Sequence, residues 1–228
     1  MILNQVYNMD CLEGLKNLQN NDIVIVTDPP YNVNYHYDEY KDNKTEEEYL
    51  IFLGNVFKQR KCVIIHYPET LYKISVSMGV APMRVVSWCY NSNTPRQHRD
   101  IAFFGINPDF TKVSQPYKNL NDKRIQERIK EGKSCKMYDW FTEEQIKNVE
   151  KSKLLINHPC VIPLNVMDRI IKLLPENLII CDPFCGSGTT LIAAKKNKRK
   201  FIGFEISKNY FELAKRRLSE ETSQLSLF

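Results

Sequence analysis

Apolar residues along this chain fall into two alternating patterns, short continuous runs and stripes at helical spacing. Ile23 to Thr27 make a β-branched run that ends at Asp28-Pro29-Pro30, which predicts a buried strand of the parallel type that the prolines stop. In KTEEEYLIFLGNVF, Tyr49, Phe52, Leu53 and Val56 share one helical face, with Thr45 as the cap and Glu48 three residues on. KCVIIHY predicts a second buried strand, and RVVSWCYN and DIAFFGIN predict two more around the turn-forming SNTPRQHR. From Pro108 to about Asn157 the aliphatic residues thin out. Order returns with PLNVMDRIIKLL, whose Val166, Ile170, Ile171 and Leu174 form one helical face. NLIICD is a strand, GSGTTLIAAKKNK enters a helix, KFIGFEI is a strand and KNYFELAKRRL an amphipathic helix.

Strands that alternate with helices predict an α/β fold with a doubly wound, mostly parallel sheet covered on both faces. Ligands of such sheets bind beyond the C-terminal ends of the strands. Asp28 and Asp182 both stand at strand C-termini, so the expectation is that they open onto one crevice. No internal repeat interrupts this plan.

Composition changes the picture little. A chain of 228 residues suits one domain, alone or with an insertion, and 43% hydrophobic with 26% charged residues is ordinary for a globular protein. The longest apolar runs fall far short of the roughly 20 residues that cross a bilayer. MILNQVYNMD lacks the basic start and apolar stretch of a signal peptide, so a cytoplasmic protein without membrane contact is expected. Cys11, Cys62, Cys89, Cys135, Cys160, Cys181 and Cys185 are scattered without a paired C-x-x-C, which predicts reduced thiols and no metal site. The formal charge is +5, with nine Lys or Arg against two Glu from Lys195 to Arg217. On charge alone, a solvated helical surface is a better reading than a phosphate-facing rim.

CDPFCGSGTT joins a strand to a helix, and Glu205 closes the next strand. Glycines let the backbone turn tightly beside a ligand, and an acid at the end of the second strand can accept hydrogen bonds from both hydroxyls of a ribose. This is the layout of an adenosine-cofactor site. A nicotinamide dinucleotide is the competitor, but Leu191 stands where the third glycine of G-x-G-x-x-G would be. A phosphate-free adenosine cofactor such as S-adenosylmethionine fits better.

Asp28-Pro29-Pro30-Tyr31 suits a particular chemistry. The exocyclic amine of a nucleobase is a poor nucleophile because its lone pair is delocalised into the ring. The Asp28 carboxylate and the Pro29 carbonyl can each accept one of its N–H hydrogens and stabilise the amine as it gains positive charge. Two prolines fix the torsions that aim these acceptors, and Tyr31 can stack on an extruded base. Alone, the same four residues also describe a simple turn.

Taken together, DPPY, DPFCGSGTT and FIGFEI resemble the DNA amino-methyltransferases, in the group whose catalytic motif precedes the cofactor motif (the beta group). The resemblance implies a Rossmann-like, S-adenosylmethionine-dependent fold in which Asp28 and Tyr31 are catalytic, with Pro29 and Pro30 shaping the turn. It implies cofactor contacts by Asp28, Asp182, Phe184, Gly186, Ser187, Gly188 and Thr189, a ribose held by Glu205, and an adenine near Asp10 and Cys11. HPCVIPLNV resembles the segment before the cofactor strand and brings in His158, although Ile162-Pro163 stands where a lysine-proline pair is common. In that group DPPY is usual for adenine N6, with cytosine N4 as the alternative on the same scaffold; a module that binds DNA without catalysis, and an RNA substrate, are further alternatives.

The implied plan is one domain over 1–228: a catalytic half at 1–107, a target-recognition insertion at 108–157, a cofactor half at 158–218 and a flexible tail at 219–228. Lys112, Lys118, Lys123, Arg124, Arg128 and Lys130 are candidate contacts to double-stranded DNA, and Arg96, His98 and Arg99 sit in a loop that reaches it. Residues Gln224, Leu225, Ser226, Leu227 and Phe228 are similar to the pentapeptide by which bacterial proteins dock on the replication sliding clamp. A homodimer and a cognate restriction endonuclease are the remaining partners implied.

Overall fold

The computed structural model describes residues 1–18, 22–35, 39–147 and 160–225. Its centre is an eight-stranded sheet built from β1 (Gln5–Asn8), β2 (Ile23–Thr27), β3 (Lys61–His66), β4 (Arg84–Cys89), β5 (His98–Phe104), β8 (Trp140–Thr142), β9 (Ile179–Asp182) and β10 (Phe201–Glu205). Two short strands, β6 (Ser114–Gln115) and β7 (Cys135–Lys136), form a separate antiparallel ribbon. The order across the main sheet is β1-β10-β9-β2-β3-β5-β4-β8. Every pairing is parallel except the two made by β5, which runs against β3 and β4. The chain builds outward from β2 through β3 to β5 and β4, then returns to lay β9 and β10 on the other side of β2. The switch point therefore lies between β2 and β9, where Ile23 to Ile25 face Ile179 to Cys181.

Alternation along the central strands divides the core into two layers. Val24, Val26, Val63, Ile65 and Ile180 point into a cluster closed by helices α5 (Leu164–Lys172), α6 (Thr189–Lys196) and α7 (Lys208–Leu225). Ile25, Cys62, Ile64, Cys181 and Phe204 point the other way, onto α1 (Cys11–Lys16), α2 (Glu46–Phe57) and α3 (Pro68–Met78). Both faces are dry, as the near-continuous apolar strands require. The capping box of α2 forms as expected, with Thr45 Oγ1 accepting from the Glu48 amide and Glu48 accepting from the Thr45 amide.

Outside the segment after Pro108, three elements escaped the sequence pattern. Strand β1 is four residues with only Val6 buried, and α1 is six residues; neither is long enough to show a period. Helix α3 buries only Leu71, Ile74 and Met78, while Tyr72 and Val76 are exposed, so its apolar residues mark no clean stripe. Its ends are conventional: Pro68 opens it and Gly79 closes it in the left-handed conformation at φ 68°.

The thinly apolar segment after Pro108 is tied into the fold through β8, which pairs with β4 at the edge of the sheet. Its helix α4 (Lys123–Lys130) buries no residue. At the other end, residues 219–225, expected to belong to a flexible tail, continue α7; Lys196 pairs with Glu221 at 3.3 Å and Arg216 with Glu220 at 3.8 Å along this stretch. Residues Ser226 to Phe228 lie outside the described residues. Two members of the basic run are structural. Arg199 donates to the carbonyls of Ile171, Leu174, Pro175 and Leu178 at the end of α5, and Arg217 donates to the Ser187 carbonyl at 2.6 Å.

Leu191 occupies the place where a dinucleotide-binding helix carries glycine, and the missing space is supplied by β10. A Cβ on Gly203 would stand 2.5 Å from Leu191 Cδ1 and 3.3 Å from Cys185 Cβ. Gly203→Ala should therefore overpack a fully buried contact and cost roughly 1–3 kcal/mol in denaturant unfolding. Combined with Leu191→Ala it should cost less than the sum of the two single changes.

Candidate active site

The two motif-bearing strands are joined at their C-terminal ends. Thr27, the last residue of β2, donates its hydroxyl to Asp182 Oδ1 at 2.6 Å, and the same oxygen accepts the Phe184 amide at 3.1 Å. Burial pushes the Asp182 carboxyl up to about 6, with its hydrogen bonds acting in the opposite direction. Beside this junction opens a cavity of about 550 Å³ lined by Met9, Asp10 and Cys11, by Asp28 and Pro30, by Phe184 and Gly186, and by Glu205, Ser207 and Tyr210. Phe52, Tyr40 and Lys44 complete the wall, with the Lys44 ammonium 4.6 Å from the Tyr40 ring centre. A smaller recess shares Asp28, Phe184 and Gly186 and adds Asp182, Ser187, Thr189 and Thr190. Asp28 thus borders both spaces.

Glu205, at the end of β10, accepts the Gly186 amide at 2.8 Å through Oε2 and the Ser207 amide at 2.9 Å through Oε1. Each oxygen keeps a further lone pair for hydroxyls of a ligand. Burial raises this carboxyl to about 7, and the two backbone bonds oppose the rise. The turn that feeds it needs its glycines: Gly186 and Gly188 have φ of 48° and 82°, and a Cβ on Gly188 would meet Ala214 Cβ of α7 at 3.0 Å. Asp10 caps α1, its Oδ1 accepting the amides of Leu12 and Glu13 at 2.9 and 3.2 Å. Beside it, burial pushes the Cys11 thiol up to about 12, which keeps it protonated and unreactive.

The DPPY turn is held from below. Tyr31 donates its hydroxyl to Asp28 Oδ1, and its ring stacks on His66 with centroids 4.1 Å apart and planes at 22°. The Tyr67 amide donates to His66 Nδ1 at 2.7 Å. Burial drives the imidazole's pKa down to about 3, so the ring is neutral and its one proton sits on Nε2. That proton is donated to Tyr49 Oη at 2.9 Å, and Tyr49 in turn donates to the Pro30 carbonyl at 2.6 Å. Among the described residues the Pro29 carbonyl accepts no hydrogen bond. Asp28 itself is half-buried. Burial raises its pKa, while the charge of Arg99 and the hydrogen bond from Tyr31 lower it.

The loop after Tyr31 wraps around Asp42, which is 2% exposed. Its Oδ1 accepts the Asn32 amide at 2.7 Å, and Oδ2 accepts those of Val33 and Tyr35 at 3.0 Å each. The Asn32 side chain exchanges two hydrogen bonds of 2.8 Å with the backbone of Lys44. This ordering carries Tyr40 and Lys44 to the cavity wall.

The structure therefore gathers Asp10, Cys11, Asp28, Phe184, Gly186 and Glu205 around the larger cavity, and Asp182, Ser187 and Thr189 around the recess. Gly188 lines neither and serves the packing of the turn on α7. His158 lies outside the described residues. His66, Tyr49, Asp42, Lys44 and Arg99 went unnoticed as parts of the site. Tyr49 with His66 and Arg99 with its rings join different elements, and Asp42 collects amides of an irregular loop without a period, so local spacing carries no trace of them. The one available signal was chemical, a histidine closing an otherwise apolar strand. The cavity fits an adenosine cofactor: its volume is in the range of small-molecule sites, its wall is mostly apolar and aromatic, and a carboxylate suited to a ribose diol stands at the strand end.

Comparison with known proteins agrees with this geometry. The N6_N4_Mtase family, described as DNA methylase, matches residues 23–216. The chain is 27% identical over 265 residues to the type II methyltransferase M.BglII of Bacillus subtilis, spanning 99% of this chain and 72% of that protein. It is 30% identical over 241 residues to the type II methyltransferase M.HpaI of Haemophilus parainfluenzae, spanning 93% and 73%. Among solved structures, the PvuII DNA methyltransferase (cytosine-N4-specific) shares the fold at TM-score 0.68 and 18% identity, over 96% of this chain and 89% of that one. The M1.HpyAVI complex with S-adenosylmethionine does so at TM-score 0.59 and 23% identity, over 94% and 98%. The chain belongs to the N6/N4 DNA methylase family, whose methyl donor is S-adenosylmethionine.

Proposed function

We propose that this chain is a site-specific DNA methyltransferase acting on the exocyclic N6 of an adenine turned out of the duplex. The observation that carries the reading is the Asp28 carboxylate at the border of the two cavities, followed by the Pro29 carbonyl, which accepts no hydrogen bond among the described residues while that of Pro30 is taken by Tyr49. S-adenosylmethionine, when bound, supplies an electrophilic methyl group. Glu205 is the residue to hold its ribose, with Asp10, Phe184 and Gly186 along the same wall.

In this reading the target base stacks on Tyr31, which His66 keeps from turning. Asp28 and the Pro29 carbonyl each accept one hydrogen of the amine and draw its lone pair out of the ring. As the nitrogen becomes positive the same two acceptors stabilise the charge, and Asp28 takes the surplus proton. The acceptors are held before the reaction by Tyr31 and by the two prolines, so little reorganisation remains for the chemical step. The thiols of Cys11 and Cys185 are held protonated by burial, consistent with direct displacement rather than a covalent enzyme intermediate. Aspartate at the first motif position supports adenine as the base; cytosine offers an amine with the same two hydrogens and is the alternative outcome.

Double-stranded DNA is the substrate in this reading, and α4 is its positive contact. That helix carries Lys123, Arg124, Arg128 and Lys130 and buries nothing. Lys112 is tied to Glu176 at 3.2 Å, and Lys118 lies 3.6 Å from the Trp140 ring centre, so both are held in place near the same surface segment.

Unmethylated bacterial genomic DNA incubated with the protein and S-adenosylmethionine, then digested to nucleosides, should yield N6-methyldeoxyadenosine by mass spectrometry. N4-methyldeoxycytidine would reassign the base, and no methylated nucleoside would refute the activity. Asp28→Ala should lower turnover by at least roughly a hundredfold, the usual scale for a charge-stabilising group, with cofactor affinity near wild type by calorimetry. Glu205→Gln should weaken cofactor binding. Because ribose hydroxyls donate to the ionised form, the wild-type dissociation constant should fall as pH rises through about 7, by up to about tenfold per pH unit below that value. The difference between wild type and Glu205→Gln isolates this from titration of the cofactor's own amine. Replacing Arg128 and Lys130 by Gln should weaken DNA binding across all sequences and reduce the slope of log affinity against log salt by about 1 per charge removed.

A further inference from the structure

Arg99 is the charged group at this site that the mechanism so far leaves unused. Rather than standing in a loop with Arg96, Arg99 lies with His98 within β5, in register with Trp88 of β4, and the next residue, Asp100, faces His66 of β3. Its guanidinium carbon is 5.1 Å from the ring centre of Tyr31, 5.4 Å from that of Trp88, 5.8 Å from Tyr90 and 5.9 Å from Tyr67. Its Nε is buried without a hydrogen-bond partner among the described residues. Four aromatic rings thus replace much of the water that a cation needs. Tyr31, Asp28, Tyr90 and Tyr67 together outweigh the opposing effect of burial and keep Arg99 protonated.

The groups that face Asp28 come from every neighbouring element. Its own turn supplies Tyr31, β9 supplies the Asp182 carboxyl, the end of β3 supplies neutral His66 with Tyr67 just after it, α2 supplies Tyr49, and the residue after β4 is Tyr90. From β5 and the turn before it come two cations. Arg96 is exposed, 4.2 Å from the Tyr67 ring centre; Arg99 is enclosed and next to Tyr31, which is bonded to Asp28. Burial favours the neutral form of Asp28 and the charge of Arg99 opposes it; the ionised carboxylate is the form that serves as the amine's acceptor.

We propose that Arg99 is a positioning residue for methyl transfer: a fixed cation, caged by aromatic rings, that keeps Asp28 a carboxylate and the Tyr31 hydroxyl turned toward it. This rests on the reading of Asp28 as the amine's acceptor. Removing the charge raises the pH at which Asp28 takes up a proton, and the protonated acid no longer serves as the amine's acceptor. The rate of methyl transfer then falls on the acid side and recovers as pH rises.

The test follows two readouts in wild type, Arg99→Met and Arg99→Lys. One is the titration of the Asp28 carboxyl by NMR on protein with ¹³C-labelled aspartate, assigned with Asp28→Asn. The other is the single-turnover rate of methyl transfer to unmethylated genomic DNA across pH. In Arg99→Met both midpoints should move to higher pH by roughly one pH unit or more, the usual effect of a nearby opposite charge on an aspartate. In Arg99→Lys they should stay near wild type. An unchanged Asp28 midpoint, or a loss of rate equal at all pH, overturns the proposal and leaves Arg99 with packing alone. If Arg99→Met does not fold by circular dichroism, Arg99→Gln removes the same charge and carries the same two readouts. A wild-type protein that methylates no DNA overturns the enzymatic reading, while the NMR arm still decides whether Arg99 governs Asp28.

Discussion

The parallel pairing of β2 with β9, tightened at its end by the hydrogen bond from Thr27 to Asp182, is the constraint on which the rest of the site depends. The residues it joins are 155 apart in sequence, and each strand leads directly into one of the two motifs. Because a parallel pair directs both C-termini the same way, the DPPY turn and the glycine-rich turn emerge side by side. Asp182 is then occupied by the join itself, its Oδ1 holding both Thr27 and the Phe184 amide. Its burial is tolerable because it is hydrogen-bonded.

A second layer of order lies beneath the DPPY turn. The sequence Tyr67 amide, His66, Tyr49, Pro30 carbonyl is a one-way chain of donors whose direction is set by the neutral histidine. It occupies the Pro30 carbonyl, while the Pro29 carbonyl accepts no hydrogen bond among the described residues. Asp42 does the comparable work for the following loop by collecting three backbone amides. Both devices replace water with fixed dipoles, so the turn and the loop that follows it are ordered in advance of any ligand. The enclosed Arg99 adds charge to a setting otherwise made of dipoles and rings.

Much of the scaffold could be read from local pattern. The buried strands β2, β3, β9 and β10 are uniform apolar runs with sharp ends, and α2 carries its own capping box. Elements below this threshold were lost: β1 and α1 are too short to show a period, and α3 exposes apolar residues on its outer side. The segment after Pro108 gave no strand signal, since β6, β7 and β8 are two or three residues long and take their shape from their partners. The extension of α7 to Leu225 was hidden by a polar, low-hydrophobicity stretch that i,i+4 pairing nonetheless supports. Arg199 and Arg217 looked like surface charge, yet they satisfy carbonyls at helix and turn ends.

By itself, the sequence determined what each local stretch can be: which runs are buried strands, which turns need glycine or proline, and which acid ends each strand. Those properties depend on neighbours a few residues away, where hydrophobic period and backbone sterics act. Only the tertiary structure decided which of these pieces meet. The junction of Thr27 with Asp182, the relay through His66, the replacement of a helix glycine by Gly203 and the caging of Arg99 all join residues from different strands and helices. Their contacts are set by strand order and register, which arise from burying both faces of one sheet at once.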